Sequence, residues 1–158
     1  ADSHLSLPVV TASRAELEAH DFVPFLALND LPMAMTGHLV FTAIDPENPA
    51  TTSSVVINEI IRGYLRFDGL LMSDDISMNA LSGDMHQRAR AIFAAGCDIA
   101  LHCHGIMDEM VAVASHAPVL SGAPLERAQA ALARISGAGE HDEVAIRTEF
   151  DGLLSAIA

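Results

Sequence analysis

The sequence predicts an α/β fold built on a parallel sheet. Three short apolar runs begin near residues 33, 69 and 98, separated by stretches whose apolar residues recur at helical spacing, and strands alternating with helices imply successive βαβ units. Three parallel strands leave both outer edges unpaired, and parallel architectures normally close or cover such edges. A (β/α)8 TIM barrel needs about 250 residues, against 158 here. The pattern therefore corresponds to the C-terminal portion of such a barrel, about three strands with flanking helices, incomplete on its own. A small open sheet is the alternative.

Each element has a local reason. Ser13-Arg14-Ala15-Glu16 has capping-box spacing and should open a helix; Pro24 marks its break or the first turn of a second helix ending near Asn29. Met33 to Phe41 is a short apolar run, read as a buried strand ending near His38. Asp45-Pro46-Glu47-Asn48-Pro49 is a loop, and Ser53 or Ser54 begins a helix carrying Val56, Ile57, Ile60, Ile61 and Tyr64, with Gly63 near its end. The second strand covers residues 69–73. Ser82 or Asp84 caps a helix through Ile92 to Gly96, which suits a C-terminal cap. Ile99-Ala100-Leu101-His102-Cys103 is the third strand. Met107, Met110, Val111 and Ala114 form a stripe of a further helix, Pro124 begins another, and Ile146, Phe150, Leu153 and Ile157 give a final amphipathic helix. Gly137-Ala138-Gly139 is the only candidate linker, so residues 1–158 read as part of one domain. The start, Ala1-Asp2-Ser3-His4, lacks an initiator Met and points to a beginning inside a longer protein, whose N-terminal part would be a partner in folding.

Composition narrows the partners. Hydrophobic residues make up 51% of the chain, enough for a sizeable core. Twenty-one acids against eight basic residues give a net charge of −13, which works against binding nucleic acid or an anionic membrane surface. No segment reaches the roughly 20 apolar residues of a membrane span, and no signal-peptide pattern opens the sequence. Cys97 and Cys103 sit in apolar surroundings and read as buried free thiols in a reducing, cytoplasmic compartment.

Three polar groups fall at strand ends or beside them: His38, Ser73-Asp74-Asp75, and His102 with His104. In a parallel barrel all C-terminal strand ends share one face, so these residues would converge there. Taken singly, an acid after a strand is most often a helix cap, and a lone histidine a satisfied core group. A zinc site from His38, His102, His104, Cys97 and Cys103 is disfavoured. Residues 102 and 103 point to opposite faces of a strand, and no CxxC pair or HExxH helix exists.

The segment Arg62-Gly63-Tyr64-Leu65-Arg66-Phe67-Asp68-Gly69-Leu70-Leu71-Met72-Ser73-Asp74-Asp75-Ile76-Ser77-Met78 resembles the nucleophile motif of glycoside hydrolase family three, in its bacterial β-N-acetylglucosaminidase branch. Ala1 to Pro8 resembles the end of that branch's acid/base loop, Met35 to Phe41 its next strand, and Ala94 to Ile99 the entry to its last strand, so the resemblance covers nearly the whole chain. It implies that Asp74 is the catalytic nucleophile of a retaining hydrolase, and Asp75 a cap or orienting residue. It implies further that His4, on a mobile loop and oriented by Asp2, is the general acid/base, since a histidine can be protonated for leaving-group departure and neutral for water activation.

The substrate implied is terminal β-linked N-acetylglucosamine on muropeptides of cell-wall recycling, with no cofactor and no metal; His38 would line or underlie the sugar pocket. Gly37, Tyr64 and Arg66 depart from the more usual Ala, Glu and Gly of the family, affecting helix ends rather than the site. The Lys-His-Phe-Pro-Gly-His-Gly segment expected just before Ala1, and most sugar-binding residues, are not in this sequence. A related β-glucosidase and a catalytically silent half-barrel acting as a binding or folding unit are the alternatives.

Overall fold

The computed structural model describes residues 5–135 and 141–157. Asp2, His4 and the Gly137–Gly139 segment lie outside them. In chain order the elements are β1 (Val9–Val10), α1 (Arg14–Glu16) widening into a π-type turn over Leu17–Asp21, α2 (Val23–Ala27), β2 (Met33–Met35), β3 (Val40–Phe41), a 3₁₀ turn (Ala50–Thr52), α3 (Val56–Tyr64, π-type), β4 (Leu70–Asp75), α4 (Met85–Ala95), β5 (Ile99–Leu101), α5 (Met107–Ala114), α6 (Gly122–Leu132) and α7 (Glu143–Ile157). Strands β2, β4 and β5 form a parallel sheet with β4 in the centre, and β1 pairs in parallel with β3.

Local chemistry sets the helix ends. Ser13 and Glu16 satisfy one another's backbone N–H groups in a capping box, and Asp84 and Gln87 do the same at the start of α4. At α3 the cap is relayed: Val56 N–H donates to Ser53 Oγ, which in turn donates to Asp45 Oδ2 at 2.6 Å. Pro24 lies in the first turn of α2. Gly96 closes α4 with φ 110°, a left-handed conformation that a side chain would strain. Gly69 is required by contact, because a Cβ there would stand 2.7 Å from the Leu31 carbonyl oxygen.

The single strand expected from Met33 to His38 stops at Met35. Thr36 N–H still bonds the Met72 carbonyl, but the chain then turns at Gly37 so that the His38 ring enters the interior, and the following residues join β1 instead of β4. Strands of two residues carry no periodicity, which is why β1 and β3 have no signature in the sequence. The third strand likewise ends at Leu101, two residues early.

Two apolar clusters fill the space behind the sheet. Ile57, Phe67, Leu71, Ile76, Ala89 and Ile92 pack α3 and α4 against β4, while Leu17, Phe22, Ile60 and Leu65 join α1 to α3. On α5 the inward residues are Ala112 and Val113, and the Met107, Met110, Val111 side faces solvent. Val144, Ile146, Phe150 and Leu153 of α7 are exposed as well, as are Met33 and Met35 on β2. Among the described residues the outer edges of β2 and β5 have no strand neighbour, and no helix is long and apolar enough to cross a membrane.

One buried charge ties these parts together. Asp98, 7% exposed, precedes β5 and accepts from Leu71 N–H at 2.8 Å, Arg62 Nη2 at 2.9 Å and Arg127 Nη1 at 3.1 Å. Arg62 also donates to the Phe67 and Gly69 carbonyls, and Arg127 to Asp68. A buried carboxylate is tolerated only with such pairing. Cys97 beside it is buried, and burial together with the Asp98 charge pushes its thiol up to about 12. Cys103 is exposed, which corrects the expectation of two buried thiols; it follows from β5 ending at Leu101.

Two outcomes are expected. Asp98→Ala leaves Arg62 without its counter-ion and Leu71 N–H unpaired, and should cost about 3–5 kcal/mol in urea unfolding. Iodoacetamide should modify Cys103 in the native protein and Cys97 only after denaturant is added, as mass spectrometry of the two peptides would read.

Candidate functional site

The C-terminal end of β4 is where the sequence places its acids, and the sheet hydrogen bonding redirects them there. Met72 pairs with Ile99 and Asp75 with Leu101, so β4 advances three residues while β5 advances two. This is a bulge, a device that re-aims a side chain at the rim of a sheet. Ser73, fully buried, fills the ladder gap by accepting from Leu101 N–H through its Oγ at 2.9 Å.

Asp74 is half-buried at this bulge. Its Oδ1 accepts from Asp75 N–H at 2.8 Å, and among the described residues its Oδ2 has no protein partner. One oxygen is therefore held and the other uncommitted, an arrangement suited to a carboxylate that must attack in a fixed direction.

Asp75 faces the other way and is consumed by the scaffold. Its Oδ1 accepts from Ser77 N–H and Cys103 N–H, both at 3.1 Å, and its Oδ2 from Ser77 Oγ at 2.6 Å. Burial pushes its pKa up, but these hydrogen bonds and the neighbouring His104 outweigh it and hold the group below the ordinary carboxylate range. Asp75 thus clamps the end of β4 to the chain leaving β5.

His38 lies beneath this clamp, 1% exposed. Its Nε2 is 2.9 Å from the Asp75 carbonyl oxygen, which only accepts, so Nε2 carries the proton; Nδ1 is 2.9 Å from Thr51 Oγ1, whose single proton is within reach of both Nδ1 and the Gly37 carbonyl at 3.1 Å. Thr36 Oγ1 completes the buried set at 2.9 Å from Thr51 Oγ1.

On the far side of the strand ends, His102 Nε2 stands 2.7 Å from Glu109 Oε2, and His104 Nδ1 is 3.9 Å from the same oxygen. The fold therefore brings Asp74, Asp75, His38, His102 and His104 to one end of the sheet. Asp2 and His4 lie outside the described residues. Among the described residues no group of three or more His, Cys, Asp or Glu side chains is arranged to hold a metal ion.

Sequence reasoning did not single out Thr51, Ser77 or Glu109. Ser77 has a local signal, since an acid two residues before a serine forms an Asx-type turn. Thr51 and Glu109 meet their histidines only through the tertiary fold.

Comparison with known proteins identifies the family. The model of the glycosyl hydrolase family 3 N-terminal domain matches residues 1–137. A β-hexosaminidase of Alkalilimnicola ehrlichii is 45% identical over 121 residues, covering 74% of this chain and 34% of that protein. One of Pseudomonas aeruginosa is 39% identical over 118 residues, covering 73% and 35%. Among solved structures, native NagZ from Neisseria gonorrhoeae superposes with a TM-score of 0.70 at 33% identity over 82% of this chain and 38% of its own. A family 3 β-N-acetylglucosaminidase from Paenibacillus gives 0.75 at 27% identity over 90% and 31%.

The chain spans about a third of the length of the curated relatives it matches. Its parallel strands and covering helices are accordingly a portion of a (β/α)8 barrel. With the family model covering residues 1–137 and the acid-tipped strand at its heart, the chain belongs to glycosyl hydrolase family 3.

Proposed function

We propose that this chain is the C-terminal, nucleophile-bearing part of a retaining β-N-acetylglucosaminidase that removes terminal β-linked N-acetylglucosamine from muropeptides during cell-wall recycling in the cytoplasm. The observation that carries the reading is Asp74, fixed through one oxygen by Asp75 N–H and without a partner at the other among the described residues, at a strand-end bulge. The β-hexosaminidase names of its relatives support the substrate class.

In the first step Asp74 attacks the anomeric carbon while His4, as imidazolium, gives its proton to the glycosidic oxygen; the carbon–oxygen bond to the leaving group breaks and a glycosyl ester of Asp74 forms. In the second step neutral His4 takes a proton from water, the water oxygen attacks the anomeric carbon, and Asp74 leaves as a carboxylate. Asp2 holds the imidazole in the required tautomer. Asp75 and His38 act through position. The first anchors the turn that carries Asp74, and the second supports the Asp75 carbonyl from below.

The direct test combines the chain with the upstream portion of the barrel and treats it with a 2-fluorinated N-acetylglucosaminyl donor. Mass spectrometry should find the sugar on Asp74, and a label on any other residue refutes the assignment. Asp74→Asn should lower turnover of an aryl N-acetylglucosaminide by at least about 10³-fold, with aryl glucosides poor substrates throughout. His4→Ala should remove the limb of the pH–rate profile that titrates in the histidine range.

Asp75 makes a separate prediction about stability. Because its folded pKa is lowered, its contribution is complete above the unfolded carboxylate range near pH ~4 and is lost as pH falls through the lower folded value. Urea midpoints measured between acid and neutral pH should show that decline in the parent and a flatter one in Asp75→Asn.

A further inference from the structure

At the opposite end of the sheet from Asp74, the residues that lead into β2 and β4 and one face of α6 line an open, solvent-facing cavity of about 320 Å³. Three of the chain's eight basic residues line it: Arg66, Arg127 and Arg134. Asp30 and Asp68 are the acids there, leaving a net excess of one positive charge in a protein whose overall charge is −13.

The three guanidiniums are not equivalent. Arg127 is fixed by Asp68 at 2.8 Å and Asp98 at 3.1 Å. Arg134 gives one N–H to the Asp30 carbonyl, and neither Arg134 nor Arg66 has a carboxylate partner among the described residues. A guanidinium offers five donors in a planar fork, so among the described residues most of the donors of two arginines are uncommitted around one concavity.

Arg66 carries a second signal. Its φ is 55°, making it the one non-glycine residue with positive φ among the described residues. The position follows α3, where Leu65 N–H bonds the Ile60 carbonyl and Phe67 N–H that of Ile61, an ending that favours glycine. A β-carbon there is strained, and the fold keeps an arginine at the lip of the cavity nonetheless.

We propose that this cavity is an anion-binding site for a small oxyanion, of phosphoryl or carboxylate type, gripped by Arg66 and Arg134 with Arg127 as its fixed wall. It lies at the N-terminal ends of the strands, so a ligand there does not compete with a sugar at Asp74. Phosphate and carboxylate both match the fork geometry of a guanidinium.

The test is a titration of the protein with inorganic phosphate and, separately, with citrate, followed through the arginine Nε–H resonances. Arg66 and Arg134 should shift saturably and Arg90, on the outer part of α4, should not. Whichever titrant saturates at the lower concentration identifies the source of the oxyanion.

Arg66→Gly relieves the backbone, so Tm should rise by about 2–4 °C while phosphate or citrate affinity falls about tenfold; Arg134→Ala should weaken binding similarly and Arg90→Ala not at all. If the arginines serve only the carbonyl ends of α3 and α6, neither titrant saturates. That result, or an unchanged affinity in Arg66→Gly, overturns the proposal.

Discussion

The geometry of both ends of the sheet depends on the carboxylate of Asp98. A buried charge in an apolar cluster would cost several kcal/mol if left alone, and this one is paired with two guanidiniums and a backbone N–H. Those donors come from α3, α6 and the second residue of β4, so a single side chain fixes where β5 begins relative to β4. From that starting point β4 advances one residue more than β5, so Leu101 stands opposite Asp75 and the extra residue lies in the bulge that displays Asp74. The pairing is therefore upstream of the site although no part of it touches the site.

The strand end is also fixed from its own side. Ser73 substitutes its hydroxyl for a ladder partner, Asp75 ties the turn to Cys103, and His38 bears on the Asp75 carbonyl from a buried hydroxyl network. Among the described residues no buried side-chain polar atom lacks a partner, and a fully satisfied network of this kind rigidifies its surroundings. The two adjacent acids differ for this reason alone. Asp75 spends both oxygens on the scaffold, whereas Asp74 spends one.

Much of this was legible in residue order, and what escaped has a physical cause. The capping box at Ser13 and the glycine stop at Gly96 are local, and the structure has them where the spacing puts them; of the two caps offered at Ser82 or Asp84, it uses Asp84. The reading of Asp74 and Asp75 as unequal comes from resemblance; what the structure adds is that their carboxylates differ in hydrogen bonding. By contrast, the turn at Gly37 depends on the burial of His38 against Thr51, thirteen residues away, and the His102–Glu109 pair depends on how α5 returns to the sheet. Contacts made by tertiary return leave no period in the sequence. Arg66 is intermediate: its departure from glycine was visible, but only the backbone shows that the departure falls at a left-handed helix end.

Chain direction explains why the two ends of the sheet carry opposite charges. In a βαβ unit each helix begins near the C-terminal end of the preceding strand, so its partially positive N-terminus faces that end and its partially negative C-terminus the other. Asp74 and Asp75 precede the start of α4, while Arg66 follows the end of α3 and Arg134 the end of α6. Each charge complements the helix end beside it. That accounts for the sign of the arginines but not for their number of donors, since a helix end absorbs one or two N–H groups and Arg134 spends only one on a neighbouring carbonyl. The same polarity that gathers acids at one end of the sheet gathers, at the other, arginines with more donors than the described residues use.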